Sequence, residues 1–518
     1  MKTTIISTIF VLFTLALRAQ NILISNLNNP NEASITMDPK KPGVLIAGTN
    51  IDNYHISIDT GRTWNNKTLN SSYGVWGDPT LIVDTNGNFY FFHLSNPPLG
   101  TWIDRIVCQK SIDSGKTWSD GSFTGLNNLK KQDKQWSVVD RKTNIIYVTW
   151  TQFDRYGNTG PLDSSIILFS KSIDGGTTWS NPMRINTVAG DCHDDDNTVE
   201  GATPAIGVNG EVYVTWAGPS GLVFNKSLNK GITWLNKETF IDSIPGGWDY
   251  RISGINRSNG LPITACDLSN GPNRGAIYIN WSDQRSGSSN TEVWLRKSID
   301  GGVTWLPRKK VNNDIGNHQQ FCTWMTIDQT NGFLYFIFYD RRHHNDDSTD
   351  VYIAISKDGG NSFINQKISE TPFLPDSNIF FGDYINIVAN NGVIRPIWTR
   401  LNGGNLSLWT ALLSENKLNG VNEIGLKSNI DLSFENYPNP SNKRIFISYK
   451  LHTRAVVELF IYNDKGKITS KIIDNVETES GKYIEQIDTQ ALGLSAGIYH
   501  LTLKVNGEIQ TRRQIILN

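Results

Sequence analysis

Ser57-Ile-Asp-Thr-Gly-Arg-Thr-Trp64 is the first of six near-copies of one phrase, Ser-x-Asp-x-Gly-x-Thr-Trp. The others run from Ser111 to Trp118, Ser172 to Trp179, Ser227 to Trp234 with Asn229 in place of the Asp, Ser298 to Trp305, and Ser356 to Phe363. Successive serines lie 54, 61, 55, 71 and 58 residues apart, a period too long for a helical solenoid and right for a four-stranded propeller blade. Within the phrase an Asp side chain can bond backbone amides two residues on, Gly supplies a positive φ, and Thr-Trp restarts a strand with a large apolar anchor. These properties predict the hairpin between the third and fourth strands of each blade. A turn that asks the same bond of the same side chain six times gives the repeated Asp a structural role.

Working outward, an apolar strand with aromatic ends precedes each phrase, at 44–48, 89–93, 145–150, 212–216, 277–281 and 334–339. Upstream of each, another strand begins near Ala33, Pro79, Trp136, Thr203, Ile263 and Thr323. A seventh pair, 384–389 and 393–398, continues into 406–413 without the phrase. The reading is an all-β chain with a seven-bladed β-propeller, six blades being the alternative if one inner pair is an insertion. The seventh set lacks a fourth strand, while Asn21-Ile-Leu-Ile-Ser25 is a strand without a sheet. Letting it complete the last blade closes the ring and removes two open sheet edges.

At 518 residues the chain accommodates one large repeat domain and a smaller one. A net charge of −1 gives no basic surplus for nucleic acid or anionic lipid. Residues 1–20 combine Met1-Lys2, an apolar stretch from Ile5 to Leu17 and a small-residue exit, the pattern of a secretory signal. No later stretch is long and apolar enough to cross a bilayer, so a soluble protein outside the cytoplasm is expected. Four widely spaced cysteines permit two disulfides, and the absence of Cys-x-x-Cys leaves zinc and redox motifs unsupported.

From about Ile430 the texture changes. Glu435-Asn-Tyr-Pro-Asn-Pro440 is followed by alternating apolar strands at 445–451, 456–462, 497–504 and 512–517, predicting a small C-terminal β-sandwich. With its Tyr-Pro-Asn-Pro opening, Asp-Lys-Gly-Lys turn and Ala-Gly-Ile-Tyr strand, this segment resembles the C-terminal sorting domain of the bacterial type IX secretion system. The resemblance implies a Bacteroidetes-type origin, the type IX machinery as partner, and export across the outer membrane with the tail removed. The expected division is signal peptide 1–20, propeller 21–415, linker 416–429 and sorting domain 430–518.

In a propeller the repeated hairpins occupy one face. Loops entering the first strands and joining second to third strands occupy the other, where a binding funnel forms near the axis. Polar residues recur at those positions, including Glu32, Asp52, Asp78, His93, Asp133, Lys134, Glu200, Arg285, Arg341, Asp383, Tyr384 and Arg400, with Trp216, Trp281 and Trp398 at the ends of second strands.

The phrase and its placement resemble the sialidase (neuraminidase) superfamily, where it is called the Asp box; the similarity covers roughly residues 30–415. In that family a Tyr nucleophile is activated by a Glu, an Asp serves as acid/base, and three arginines grip the substrate carboxylate. A neutral Tyr approaches an oxocarbenium centre that already bears a carboxylate more easily than an anionic Glu would. The resemblance implies Tyr384 as nucleophile, Glu200 as its base and Asp52 as acid/base. Substrate contacts would come from Arg285, Arg341, Arg400, Asp78 and Trp216. One departure stands out: no Arg occurs between Arg18 and Arg62, and Glu32-Ala-Ser-Ile-Thr36 occupies the place of the first-blade arginine. An incomplete clamp costs a few kcal/mol in charged hydrogen bonds.

Gly190-Asp-Cys-His-Asp-Asp-Asp-Asn197 offers Asp191, Asp194 and Asp196 as oxygen ligands suited to calcium, although it lacks the Gly and distal Glu of an EF-hand loop; a solvated acidic loop is the other reading. No further cofactor is required. The leading function is a secreted, retaining, exo-α-sialidase-like glycoside hydrolase acting on exposed glycans. A non-catalytic glycan-binding or adhesive propeller is the alternative, and a uronate polysaccharide lyase using His93 or Tyr384 as base is the third.

Overall fold

The computed structural model describes residues 20–415, 418, 435–437, 440–441, 443–451, 454–463, 467–505 and 508–517. The expected signal segment up to residue 19 and all of the linker but residue 418 lie outside them. The chain divides into two compact units, 1–420 and 421–518.

Among its described residues the first unit contains seven antiparallel sheets of four or more strands and one two-stranded hairpin. The innermost strands are Ser34–Met37, Thr80–Val83, Lys131–Val139, Glu200–Ile206, Ile263–Cys266, Gln320–Asp328 and Asn386–Asn390. Each packs against the next, and the seventh packs against the first, so the sheets close into a ring. The outermost strand of the seventh sheet is Asn21–Ser25, antiparallel to Asn405–Ala411 with Asn21 opposite Ala411. The Asn21 side chain also donates to the Ile368 carbonyl at 2.8 Å, fastening the closing strand to the sixth sheet.

Each repeated phrase forms the turn between the third and fourth strands, as between Asn53–Ser57 and Asn65–Thr68. The Asp bonds reach further along the chain than two residues. Asp59 Oδ1 accepts from the amides of Arg62 and Thr63 at 3.0 and 2.9 Å, and Oδ2 from the Thr63 hydroxyl at 2.7 Å. Two successive left-handed residues, Thr60 at φ 62° and Gly61 at 82°, curl the chain back to bring those groups within reach. Asn229 keeps the geometry, accepting from the Thr233 amide at 2.8 Å and donating to its hydroxyl at 2.8 Å. Trp179, Trp234 and Trp305 then meet Phe92, Phe169 and Phe224 of the preceding sheets, with ring centroids 5.7, 5.0 and 5.2 Å apart. Lysines just before the phrase clamp the next turn: Lys171 Nζ donates to the Lys230 carbonyl at 2.7 Å and Lys226 Nζ to that of Gly301 at 2.6 Å.

Trp150, Trp216, Trp281 and Trp398 occupy second strands and are fully buried between sheets. This corrects the expectation that Trp216, Trp281 and Trp398 line the rim: alternation along the strand turns them into the inter-sheet core. All four cysteines are buried and free.

The second unit pairs a three-stranded sheet (Glu435–Tyr437, Arg444–Leu451, Gly481–Asp488) with a four-stranded one (Ile468–Thr478, Ala455–Asn463, Gly497–Val505, Glu508–Leu517). Ile445, Ile447 and Tyr449 from one sheet and Val457, Leu459, Leu501 and Leu503 from the other fill the core between them.

Candidate functional site

At or near the start of six of the seven inner strands, the backbone makes a tight left-handed step. Glu32, Asp78, Lys134 and Cys322 hold φ of 51°, 50°, 48° and 49°, a region that side chains other than Gly rarely enter. Gly201 and Gly382 take the same step at 71° and 96°. Such strain gathers where the surrounding structure needs a side chain held in one place. Here it places acidic and basic groups of different sheets against one another.

Lys134 is the hub. Its Nζ lies 2.6 Å from Asp383 Oδ2, 3.3 Å from Asp78 Oδ2 and 3.5 Å from Glu32 Oε1. Asn50 joins the first two sheets, donating to Glu32 Oε2 at 2.7 Å and accepting from the Asp78 amide at 2.8 Å. The four charged groups are buried, a state tolerated only because each has a partner. Burial, and then the charge of Asp78, hold the Glu32 carboxyl well above the usual range, and burial raises Asp78 as well. Burial opposes charge on Lys134, but the surrounding carboxylates, Asp383 foremost, raise it above an ordinary lysine. Asp383 moves the other way: burial would raise it, but Arg257 and Lys134 together hold it low.

Arg257 arrives from the hairpin Asp249–Tyr250 with Ser258–Asn259. Its Nε lies 3.2 Å from Asp383 Oδ1, Nη1 3.0 Å from Asp194 Oδ2, and Nη2 3.9 Å from Glu200 Oε2. The Tyr156 hydroxyl donates to Asp194 Oδ2 at 2.7 Å, and Asn259 Nδ2 to the Asp383 carbonyl at 2.9 Å. Glu200 is 0% exposed and neither of its oxygens has a hydrogen-bond partner among the described residues. Burial, then the charges of Asp194 and Asp133, favour its neutral acid form, and burial pushes Asp133 up to about 6. Six carboxyls (Glu32, Asp78, Asp133, Asp194, Glu200, Asp383) thus surround two cations.

Below this layer, Trp136, Trp324 and Tyr384 from the third, sixth and seventh sheets meet across the axis. Trp136 lies 4.4 Å from Trp324 and 5.0 Å from Tyr384 between ring centroids. Lys134 Nζ stands 6.0 Å from the Tyr384 ring centre. With Asp383, Cys322 and Thr203 these groups line a cavity of about 20 Å³, room for about one water molecule. Tyr384 is half-buried there, and burial, then the charges of Glu32 and Asp78, keep its phenol well above the usual pKa.

Of the residues expected from sequence, Tyr384 and Asp78 stand in this mouth, and Glu200 lies in its Arg257 half. The carboxylates acting most on Tyr384 are Glu32 and Asp78, whereas Glu200 is governed by Asp194 and Asp133. Asp52 is half-buried in the turn beside Asn50. Arg285, Arg341 and Arg400 do not converge here. Arg285 pairs with Asp283 and Asp242, Arg341 with Asp347 at 2.8 Å, and Arg400 donates to Thr371 Oγ1 at 2.9 Å. Trp216 is core. His93 is buried, bonded to the Leu94 carbonyl and Gln109, and burial lowers it to about 4, which leaves it no route to a substrate.

In the acidic loop the carboxylates that come together with His193 are Asp191 and Asp195, ligand atoms within 4.8 Å of one another. This corrects the grouping of Asp191 with Asp194 and Asp196. Asp194 is committed to Tyr156 and Arg257, and Asp196 accepts from the Asp249 amide at 2.8 Å. Sequence reading missed Arg257 and Tyr156. The 71-residue interval between the fourth and fifth phrases, the longest of the five, is the signal that an insertion lies there.

Residues 435–518 match the family described as the secretion system C-terminal sorting domain. The chain accordingly is exported by type IX secretion to the cell surface or the extracellular space. Among the described residues no helix is long and apolar enough to cross a membrane. A sialidase of Bacteroides fragilis (strain YCH46) is 24% identical over 319 residues, covering 54% of this chain and 52% of that protein, so the chain matches about half the length of this curated relative. Among solved structures, the Hadza microbial sialidase Hz136 is 14% identical, with 72% of this chain and 73% of that one covered and a TM-score of 0.40. The NanB sialidase from Streptococcus pneumoniae is 11% identical, with 72% and 83% covered and a TM-score of 0.43.

Proposed function

We propose that the protein is an exported glycan-acting propeller, a glycoside hydrolase whose chemistry resides at the axial mouth and whose substrate is a neutral glycan. The observation that carries the reading is Tyr384, half-buried in the axial cavity between Trp136 and the Lys134–Asp383 pair, with the carboxyls of Glu32 and Asp78 acting on its phenol. Tyr384 attacks the anomeric carbon while the bond to the aglycone oxygen breaks and Asp52 protonates that oxygen; an ionised carboxylate of the Glu32–Asp78 pair takes the phenol proton, and water, deprotonated by Asp52, then releases the sugar and restores Tyr384. Asp52 on the adjoining turn is the acid/base. Glu32 thereby takes the part that the sialidase resemblance gives to Glu200.

Substrate charge follows from the ion pairs. Lys134 and Arg257 are already held by carboxylates, and Arg285, Arg341 and Arg400 are engaged elsewhere. A sialoside or uronate carboxylate would meet an excess of acid and, among these five cations, no unpaired charge, a strongly unfavourable burial. Non-catalytic glycan binding is the second reading, favoured by the small volume of the cavity.

The test is turnover of a panel of aryl glycosides that spans neutral sugars, uronates and an aryl sialoside. Hydrolysis of a neutral glycoside, abolished by Tyr384→Phe, supports the reading. Turnover of the sialoside alone would overturn the substrate assignment, and no turnover on any member would leave binding as the function.

A further inference from the structure

On the mouth face, a row of aromatic rings runs outward from the Arg257 network, with Tyr156 packed against the core between the second and third sheets and two partly exposed tryptophans beyond it. Trp76, in the loop entering the second sheet, and Trp102, in the loop joining that sheet's second and third strands, are each 38% exposed. Their rings meet edge to face at 6.3 Å and 89°. Trp102 in turn meets Tyr156 at 5.5 Å and 86°, and Tyr156 rests on Phe153 at 4.9 Å. The Tyr156 hydroxyl ends the row on Asp194, the carboxylate that Arg257 holds.

These rings are presented by a fixed backbone. The Trp76 amide donates to the Leu94 carbonyl at 3.0 Å, the Ile103 amide to Ser95 at 2.8 Å, and the Gln132 amide to Ile103 at 2.8 Å. Lys131 Nζ lies 5.6 Å from the Trp102 ring centre and donates to the Trp102 carbonyl. Of the other cations nearby, Lys130 pairs with Asp154 at 2.7 Å and Arg105 with Asp104 at 2.7 Å.

We propose that Trp76 and Trp102 form a stacking platform that holds an extended neutral polysaccharide and leads it past Tyr156 to the mouth. A pyranose ring presents apolar C–H groups on its faces and hydroxyls on its edge. The negative face of an indole receives such C–H groups, and a second indole at right angles supplies a wall for the ring's edge. An exposed aliphatic patch would accept any apolar partner; rigid aromatics with a polar rim, continuous with a polar site, select sugars. Two flanking cations are paired internally, and the third, Lys131, is turned onto the Trp102 carbonyl and ring, so the aromatic faces rather than an ion cluster form the recognition surface. The proposal rests on the glycan-acting reading and adds where and how the polymer is held.

Affinity electrophoresis of the full chain through gels carrying a β-glucan, a galactomannan, a xylan, an α-glucan or polygalacturonate tests it. At least one neutral polymer is expected to retard the protein. Trp76→Ala and Trp102→Ala should each weaken that binding tenfold or more, and Trp102→Phe should restore part of it, with near-ultraviolet circular dichroism confirming the fold. No retardation by any neutral polymer, or retardation unchanged in both alanine variants, overturns the platform. The Tyr384→Phe variant separates the two proposals. If it and the wild type are retarded alike while neither turns over any glycoside, hydrolysis fails and the platform stands.

Discussion

Lys134 and Asp383 form an ion pair 2.6 Å long that ties the third sheet to the seventh across the mouth of the ring. Both side chains are buried, and Asp78 and Glu32 crowd the same ammonium. Removing the cation while keeping the acids leaves several buried carboxyls unpaired. Lys134→Met is therefore expected to cost about 3–5 kcal/mol of stability, the scale for breaking a buried pair, measured by urea unfolding of the propeller signal. A loss below about 1 kcal/mol would mean that the mouth is far wetter than this geometry.

The mouth also sets a pH dependence. Asp133, pushed up to about 6 by burial, keeps its proton in the folded state while the unfolded chain has already released one near 3.8. Stability from this group is full below the unfolded value and declines as pH rises to about 6, then stays level. His55 and His93, lowered to about 4 by burial, act oppositely, losing stability as pH falls from 6.5. The melting temperature of Asp133→Asn relative to wild type should therefore climb between about pH 4 and 6 and hold steady above. A constant difference across that range would deny the raised Asp133.

The turn Asp residues titrate at the other extreme. The Thr117 hydroxyl and amide hold Asp113 down to about 2, and Thr178 does the same for Asp174. Their stabilising bonds persist above the unfolded value and are lost as pH falls from 3.8 towards 2. Because Asn229 makes the same bonds without a charge, Asp113→Asn is expected to retain near-wild-type stability at neutral pH and to lose less of it below pH 3. Asp113→Ala should be destabilised at every pH. Equal melting temperatures for the two variants at pH 7 would show that the turn does not depend on that side chain.

Much of this fold is legible in the sequence because its decisive features are local. The phrase at Ser57 specifies its own turn, and the strands on either side follow from alternation. The orphan strand at Asn21 is legible for a different reason, since an unpaired edge needs a partner. The site is less legible. Trp216 and Trp102 are both tryptophans beside loops, and only strand register decides which one faces the core. Arg257 pairs with Asp383, 126 residues on; the long fourth interval announces an insertion but not which of its residues reaches the axis. Glu32 and Asp78 could be placed on the rim from sequence, but not the fact that one lysine holds both.

Closure of the ring by Asn21–Ser25 makes a prediction about solubility. Deleting residues 21–25 would expose the Asn405–Ala411 edge, remove the buried Ile24 and release the Asn21 bond to Ile368. Open, flat edges recruit other strands. The deletion is expected to lower the melting temperature and to produce concentration-dependent oligomers in light scattering. A monomer of unchanged melting temperature would show that the strand is dispensable to closure.

Arg257 is the cation nearest Glu200 and Asp194, while Asp383 has Lys134 in reserve. Replacing it by leucine keeps the packing against Trp248, whose ring centre lies 5.9 Å from the guanidinium carbon, but withdraws the charge that lowers its acidic neighbours. Glu200 and Asp133, already raised by burial, should then hold protons to still higher pH. At pH 5 those protons are in place and the variant loses little. At pH 8 the folded state must either ionise unpaired acids or take up protons that the unfolded chain does not carry, so stability falls further. Arg257→Leu is thus expected to show a larger drop in melting temperature at pH 8 than at pH 5. The reverse order would mean that the arginine is held for its shape rather than for its charge.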